Sequence, residues 1–132
     1  NKVSINIRFS NELAQRIYAA SDIFLMPSMF EPCGLGQLIA MRYGTIPVVR
    51  ETGGLKDTVV QFDRSDVDKG NGFLFYEYNA HEMMYALKRA LAAYGNLREW
   101  RQLIFTAMHG DFSWKRSAKE YEKLYESLLL ES

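Results

Sequence analysis

Met26-Pro27-Ser28-Met29-Phe30-Glu31-Pro32-Cys33-Gly34-Leu35-Gly36-Gln37-Leu38-Ile39-Ala40-Met41 is the stretch on which the reading of this chain turns. It starts where the short apolar run Ile23-Phe24-Leu25-Met26 ends, and it finishes inside a segment with helical character. Between the two lie two prolines, two glycines, one carboxylate and the chain's only cysteine. That pattern predicts a strand, a tight loop and a helix N-terminus. Open α/β sheets bind ligands at the carboxyl ends of their strands. The unpaired N–H groups that open a helix suit an anion, above all a phosphate. Gly34 and Gly36 let a ligand approach the backbone of Leu35 and Gly36 closely, and the Glu31 carboxylate is within reach of whatever that phosphate carries. By residue type alone the same glycines and prolines also suit a plain turn. No Gly-Lys-Ser/Thr follows, so this is not a Walker loop, and Ile39 breaks a G-x-G-x-x-G pattern.

Working outward, Val3-Ser4-Ile5-Asn6-Ile7 alternates apolar and polar, which predicts a strand. Ser10 is a candidate N-cap for a helix that presents Leu13, Ala14, Ile17 and Tyr18 on one face and ends at Asp22. Residues 23–26, apolar throughout, fit a strand buried on both faces. A helix is expected over 35–43, closed by Gly44. A strand is expected over 46–49, with Pro47 near its start or on an edge. Arg50-Glu51-Thr52-Gly53-Gly54 then forms a second loop facing the same crevice as the Glu31 loop. A short helix is expected over 54–59, a surface loop over 62–72 and a strand over 73–75. Asn79 and Glu82 form a capping box for a helix with Met84, Leu87, Leu91 and Tyr94 at helical spacing and in the core. Another helix follows over 97–108, with Trp100, Ile104 and Ala107 inward. Ser113 is expected to cap a last helix that turns Ala118, Tyr121, Leu124 or Tyr125, and Leu128 to the core. His81 and His109 read as surface or capping groups. Strands alternating with helices call for an α/β fold, a doubly wound (Rossmann-like) parallel sheet.

With 132 residues the chain holds one domain at most. At 48% hydrophobic and 14% aromatic it can bury a core. Formal net charge is zero, which argues against a nucleic-acid partner or a membrane-attracting surface. No apolar run approaches a membrane span. A single cysteine fits a reducing compartment. The start at Asn1, inside a region that reads as structured, suggests a piece of something longer.

Phe30-Glu31-Pro32-Cys33-Gly34-Leu35, Gln37-Leu38, Tyr43-Gly44-Thr45-Ile46-Pro47-Val48-Val49-Arg50 and Thr52-Gly53-Gly54-Leu55-Lys56-Asp57-Thr58-Val59 together resemble the bacterial glycogen synthase and plant starch synthase family. Ala20-Ser21-Asp22 and Asp111-Phe112-Ser113-Trp114 extend the resemblance. These enzymes are retaining glucosyltransferases of the two-domain GT-B fold, and the chain matches the later part of the carboxy-terminal, nucleotide-sugar-binding domain across residues 1–132. The resemblance implies transfer of glucose from ADP-glucose, the substrate, to the non-reducing end of an α-1,4-glucan, with no cofactor and no metal. It makes Glu31 the catalytic carboxylate, positioning sugar hydroxyls and stabilising charge rather than attacking. It gives the Leu35 and Gly36 N–H groups to the distal phosphate. Cys33, Gly34, Thr52, Gly53 and Gly54 would line the sugar-nucleotide site, and Phe9 would lie against the adenine. Cys33 is not expected to act as a nucleophile, because no activating group adjoins it in sequence; by residue type it reads as a small buried side chain.

The sequence departs from the wider GT-B pattern at Ile39, where many relatives place a second glutamate on the ribose; this agrees with the synthase branch. Gly36 stands where many synthases have threonine. The family's diphosphate-clamping arginine and lysine, the acceptor groove and the amino-terminal domain all lie upstream of residue 1. The resemblance puts Ile5, Ile23, Ile46 and Phe73 on the last four strands of a 3-2-1-4-5-6 sheet. The chain alone is therefore expected to be inactive, and marginal, oligomeric or repaired by non-native pairing of residues 3–7. A cytoplasmic location follows for a bacterial enzyme, a plastid for a plant one. A non-catalytic binding or interaction module, or another GT-B sugar-nucleotide transferase, remains the alternative.

Overall fold

The computed structural model describes residues 2–130. Its elements run α1 (Asn11–Ala20), β1 (Ile23–Met26), α2 (Gly36–Arg42), β2 (Ile46–Arg50), α3 (Gly53–Thr58), β3 (Phe73–Phe75), α4 (Ala80–Tyr94), α5 (Leu97–His109) and α6 (Trp114–Leu130). The three strands form one parallel sheet in the order β1-β2-β3, as the alternation with helices requires. Ile23 pairs with Ile46 and Met26 with Val49, while Val48 pairs with Phe73. Pro47, second in β2, precedes the first pairing with β3. The Ile46 N–H goes to Asp22 on the β1 side, so by alternation the missing N–H of Pro47 faces the side where no ladder has begun.

β2 is the central strand and is buried on both faces. Ile46 and Val48 join Met41, Phe73, Phe75, Trp100, Leu103 and a row of alanines in the main core under α2, α4 and α5. Val49 joins Leu55 and Val59 in a smaller cluster beneath α3. Residue 71 closes the long loop from inside: the Asn71 side chain accepts from Val60 N–H at 2.7 Å and donates to the Thr58 carbonyl at 3.1 Å.

Local rules fix most boundaries. The Ser10 hydroxyl accepts from Leu13 N–H at 3.2 Å and starts α1. Asn79 accepts from Glu82 N–H at 2.9 Å, giving α4 one arm of the expected capping box. Gly44 follows α2 at φ 81°. At α6 the Ser113 carbonyl accepts from Arg116 and Ser117, and before the helix the Asp111 side chain accepts from Ser113 N–H at 2.9 Å in a local turn.

Several expectations need correction. Residues 3–7 form no strand, so the first predicted strand is absent and nothing among the described residues covers the outer edge of β1. β1 is accordingly only partly buried, not buried on both faces. The core face of α4 is Ala86, Ala90 and Ala93, with Met83 and Leu87 beside it. Met84, Leu91 and Tyr94 are half exposed: small side chains let the helix lie close on the sheet, and the larger ones flank that contact. In α5, Leu103 is fully buried beside Trp100 and Ala107, and Ile104 packs at the margin. α6 has no buried residue, so Tyr121, Leu124, Tyr125 and Leu128 do not reach the core. Cys33 is exposed rather than buried.

The two leucines separate these readings. Leu103→Ala is expected to lower unfolding free energy by about 2–5 kcal/mol. Leu91→Ala, at a position 53% exposed, is expected to cost less than about 1 kcal/mol. Denaturant melts of the two variants check this, and equal losses would overturn the placement of the core.

Candidate functional site

Because the sheet is parallel, Met26, Arg50 and Phe75 end their strands on the same edge. The segments 27–35, 51–52 and 76–79 therefore meet there. The first is joined backbone to backbone with Gly53 and Gly54, which follow the second at the start of α3. The Gly54 N–H donates to the Glu31 carbonyl at 3.1 Å. A Cβ on Gly53 would collide with the Glu31 carbonyl, and one on Gly54 with the Cys33 carbonyl. Gly53 also sits at φ 45°, a left-handed conformation that side chains disfavour. Only two glycines in succession allow these chains to lie so close.

The Glu31 side chain is partly buried and accepts from the Ser28 hydroxyl at 3.3 Å. Cys33 and Leu35 are exposed beside it, and Gly34 is buried at φ 71°. Gly36 opens α2, whose first N–H groups have no carbonyl four residues back. Thr52 precedes α3 in extended conformation, its side chain making no capping bond. Glu31, Cys33, Gly34, Leu35, Gly36, Thr52, Gly53 and Gly54 thus lie along one edge. Phe9 does not join them: it is 92% exposed in the unpaired amino-terminal segment.

Sequence reasoning gave no role to Arg50, which braces the third segment. Its Nη1 donates to the Met29 carbonyl at 2.6 Å, its Nε donates to the Tyr76 carbonyl at 3.1 Å, and its guanidinium lies 5.7 Å from the Tyr78 ring centre. The available signal was a cation ending an otherwise apolar strand. Next to it, Pro27, Phe75, Tyr78, Asn79, Ala80 and Met83 line an apolar cavity of about 330 Å³, within the size range of small-molecule pockets. Among the described residues no three His, Cys, Asp or Glu side chains gather where a metal could be held, and no helix is long and apolar enough to cross a membrane.

An edge of this kind, with N–H groups opening a helix, a carboxylate and a second glycine loop, suits a ligand that joins an anion to a polyhydroxylated group. The model of a family described as glycosyl transferases group 1 matches residues 2–103. The chain belongs to that family. Among the group 1 glycosyl transferases it is similar to the glycogen synthase of Clostridium perfringens strain 13, 58% identical over 128 residues that span 97% of this chain and 26% of that enzyme. The glycogen synthase of Bacillus cereus strain Q1 is 56% identical over the same length, 27% of that enzyme. Among solved structures, the catalytic domain of starch synthase IV from Arabidopsis thaliana, bound to ADP and acarbose, superposes with a TM-score of 0.79 at 46% identity, covering 91% of this chain and 25% of that one. Sucrose-phosphate synthase from Thermosynechococcus elongatus follows at 26% identity and a TM-score of 0.64, over 95% of this chain and 30% of that one. The resemblance read from residues 30–59 therefore holds along nearly the whole chain, and the chain spans about a quarter of the length of the curated relatives it matches.

The glycine contact is testable by size alone. Gly54→Ala is expected to destabilise the chain by more than about 1 kcal/mol, since the methyl group must push the two loops apart. Gly95→Ala, where a Cβ meets nothing closer than 3.6 Å, is expected to be neutral within about 0.5 kcal/mol. Thermal melts check the pair. A neutral Gly54→Ala would mean that the loops do not touch.

Proposed function

We propose that this chain is the later part of the nucleotide-sugar-binding domain of a retaining, ADP-glucose-dependent glycogen synthase, which lengthens an α-1,4-glucan at its non-reducing end. The observation that carries the reading is the joining of the Glu31 loop to the Thr52-Gly53-Gly54 loop at the carboxyl edge of the sheet. The similarity to glycogen synthases and to an ADP-bound starch synthase supports it.

In this reading the departing diphosphate gathers charge as the glucose bond lengthens, and preorganised N–H donors at Leu35 and Gly36 stabilise it. Glu31, held from one side by Ser28, orients sugar hydroxyls and stabilises positive charge on the ring. Cys33, Gly34, Thr52, Gly53 and Gly54 shape the walls. A place for Phe9 against the adenine belongs to the same proposal and needs residues 3–9 to fold onto an upstream part of the domain. Ile39, eight residues after Glu31, offers no carboxylate to a ribose, in keeping with the synthase branch. The likeness to enzymes of Clostridium and Bacillus favours a bacterial cytoplasm.

In the complete enzyme, Glu31→Ala is expected to lower kcat by on the order of 10²-fold or more while changing ADP affinity by less than about threefold. A loss confined to KM would make Glu31 a residue of uniform binding instead. Competition between ADP-glucose and UDP-glucose tests the donor, and a preference for UDP-glucose would move the chain to another branch of the family. The chain alone is expected to transfer no glucose and to self-associate through the open β1 edge. Mass measurement in solution checks this, and a monodisperse monomer with a cooperative melt would count against it.

A further inference from the structure

The side-chain amide of Gln37 is fully buried on the first turn of α2, behind the Glu31 loop. Its Nε2 donates to the Gly34 carbonyl at 2.9 Å and to the Thr58 hydroxyl at 3.0 Å. Thr58 in turn donates to the Gly54 carbonyl at 2.7 Å. A Cβ on Gly34 would strike the Gln37 amide, so that glycine also rests directly on it. One chain of hydrogen bonds, buried at Gln37 and part-buried at Thr58, therefore runs from the end of the first loop, through α2 and α3, to the second loop. It ties the two from beneath, while the bond from Gly54 N–H to the Glu31 carbonyl ties them above.

The bond to Gly34 spans three residues and is local to the start of α2. The bond to Thr58 crosses 21 residues of sequence and links two elements. Stability alone does not favour this amide, because Gln37 Oε1 is buried without a hydrogen-bond partner. Such an orphan acceptor costs free energy that an apolar side chain of similar size would not. What the amide supplies is direction: it fixes the Gly34 and Gly54 carbonyls, and with them the peptide planes that lead to the Leu35 and Gly36 N–H groups.

We propose that Gln37 and Thr58 form a positioning relay for the sugar-nucleotide site. They touch no substrate, and they set the spacing of the two glycine loops so that the α2 N–H groups and the Glu31 carboxylate bear on one ligand together. This rests on the reading given under Proposed function. Donors work by alignment, and misplacement by about an ångström costs on the order of 10²-fold in rate.

The test uses the complete enzyme with Thr58→Val, which keeps the shape and removes the hydroxyl, Thr58→Ser, which keeps the hydroxyl, and Gln37→Met. Thr58→Val and Gln37→Met are each expected to lower kcat with ADP-glucose at least about tenfold, with KM changed less than about threefold. Thr58→Ser is expected to stay within about twofold of the unmodified enzyme. The double variant Gln37→Met/Thr58→Val is expected to be no slower than the slower single one, because both break one chain. Equal losses in Thr58→Val and Thr58→Ser, or multiplicative losses in the double variant, would overturn the relay. Amide exchange separates this from failure of the donor reading. If the unmodified enzyme does not use ADP-glucose, that reading falls, and the relay still requires Thr58→Val, and not Thr58→Ser, to speed exchange at Gly54, whose N–H is held by the Glu31 carbonyl. Unchanged exchange overturns it.

Discussion

The closeness of two backbones, residues 31–33 against residues 53–54, is the constraint on which the rest of the site depends. Hydrogen bonding contributes modestly to it: one bond from Gly54 to Glu31 is worth about 1 kcal/mol net. The steric condition is stronger. Any side chain at Gly53 or Gly54 would occupy space already held by a carbonyl. The contact therefore constrains the sequence at two adjacent positions and leaves the neighbouring side chains free to face a ligand. α3 begins at this contact and α2 begins within a few residues of it, so two helix starts are aimed at the crevice by one piece of packing.

Behind that contact stands β2. It carries apolar side chains on both faces and hydrogen-bonds on both sides, and this makes it the rigid member of the sheet. Its last residue, Arg50, converts that rigidity into loop order by binding the Met29 and Tyr76 carbonyls. The three segments at the edge are thus fixed by different means: glycine contact for the first two, a buried amide relay beneath them, and a guanidinium across to the third. A site assembled this way needs little rearrangement when a ligand arrives, which is the condition under which dipolar donors are most effective.

Most of the elements were legible because local chemistry decides them. Ser10 and Asn79 cap where their residue types predict, Gly44 follows α2, and the apolar run 46–49 is the central strand. The loop pairing was legible as well, since parallel strands bring their carboxyl ends together. The failures fall where a partner outside the element decides. Val3, Ile5 and Ile7 alternate as a strand does, but pairing needs a neighbouring edge, and here they are exposed. α4 was read by its large apolar residues, whereas close packing on a sheet selected its alanines. α6 has an apolar face that nothing among the described residues covers. Gln37 stood inside the stretch 26–41 and Arg50 at the start of the second loop, yet their roles depend on Thr58, Met29 and Tyr76, and no spacing rule connects those positions.

Charge completes the argument. A diphosphate carries more negative charge than helix N–H groups neutralise, since a helix end offers only about half an elementary charge. Two cations stand near this edge. Arg50 is committed to two carbonyls and a tyrosine ring, and Lys56 faces Glu51 at 3.6 Å. Releasing Arg50 would undo contacts that hold two loop carbonyls, whereas Lys56, in an exposed pair, is only loosely held. Among the described residues, this edge offers direction, walls and a carboxylate, while both of its cations already face partners. Under the proposed reading, a departing diphosphate would draw its balancing charge from residues other than these. Placing the strong electrostatic groups on one segment and the orienting ones on another would then make the proposed reaction depend on their coming together.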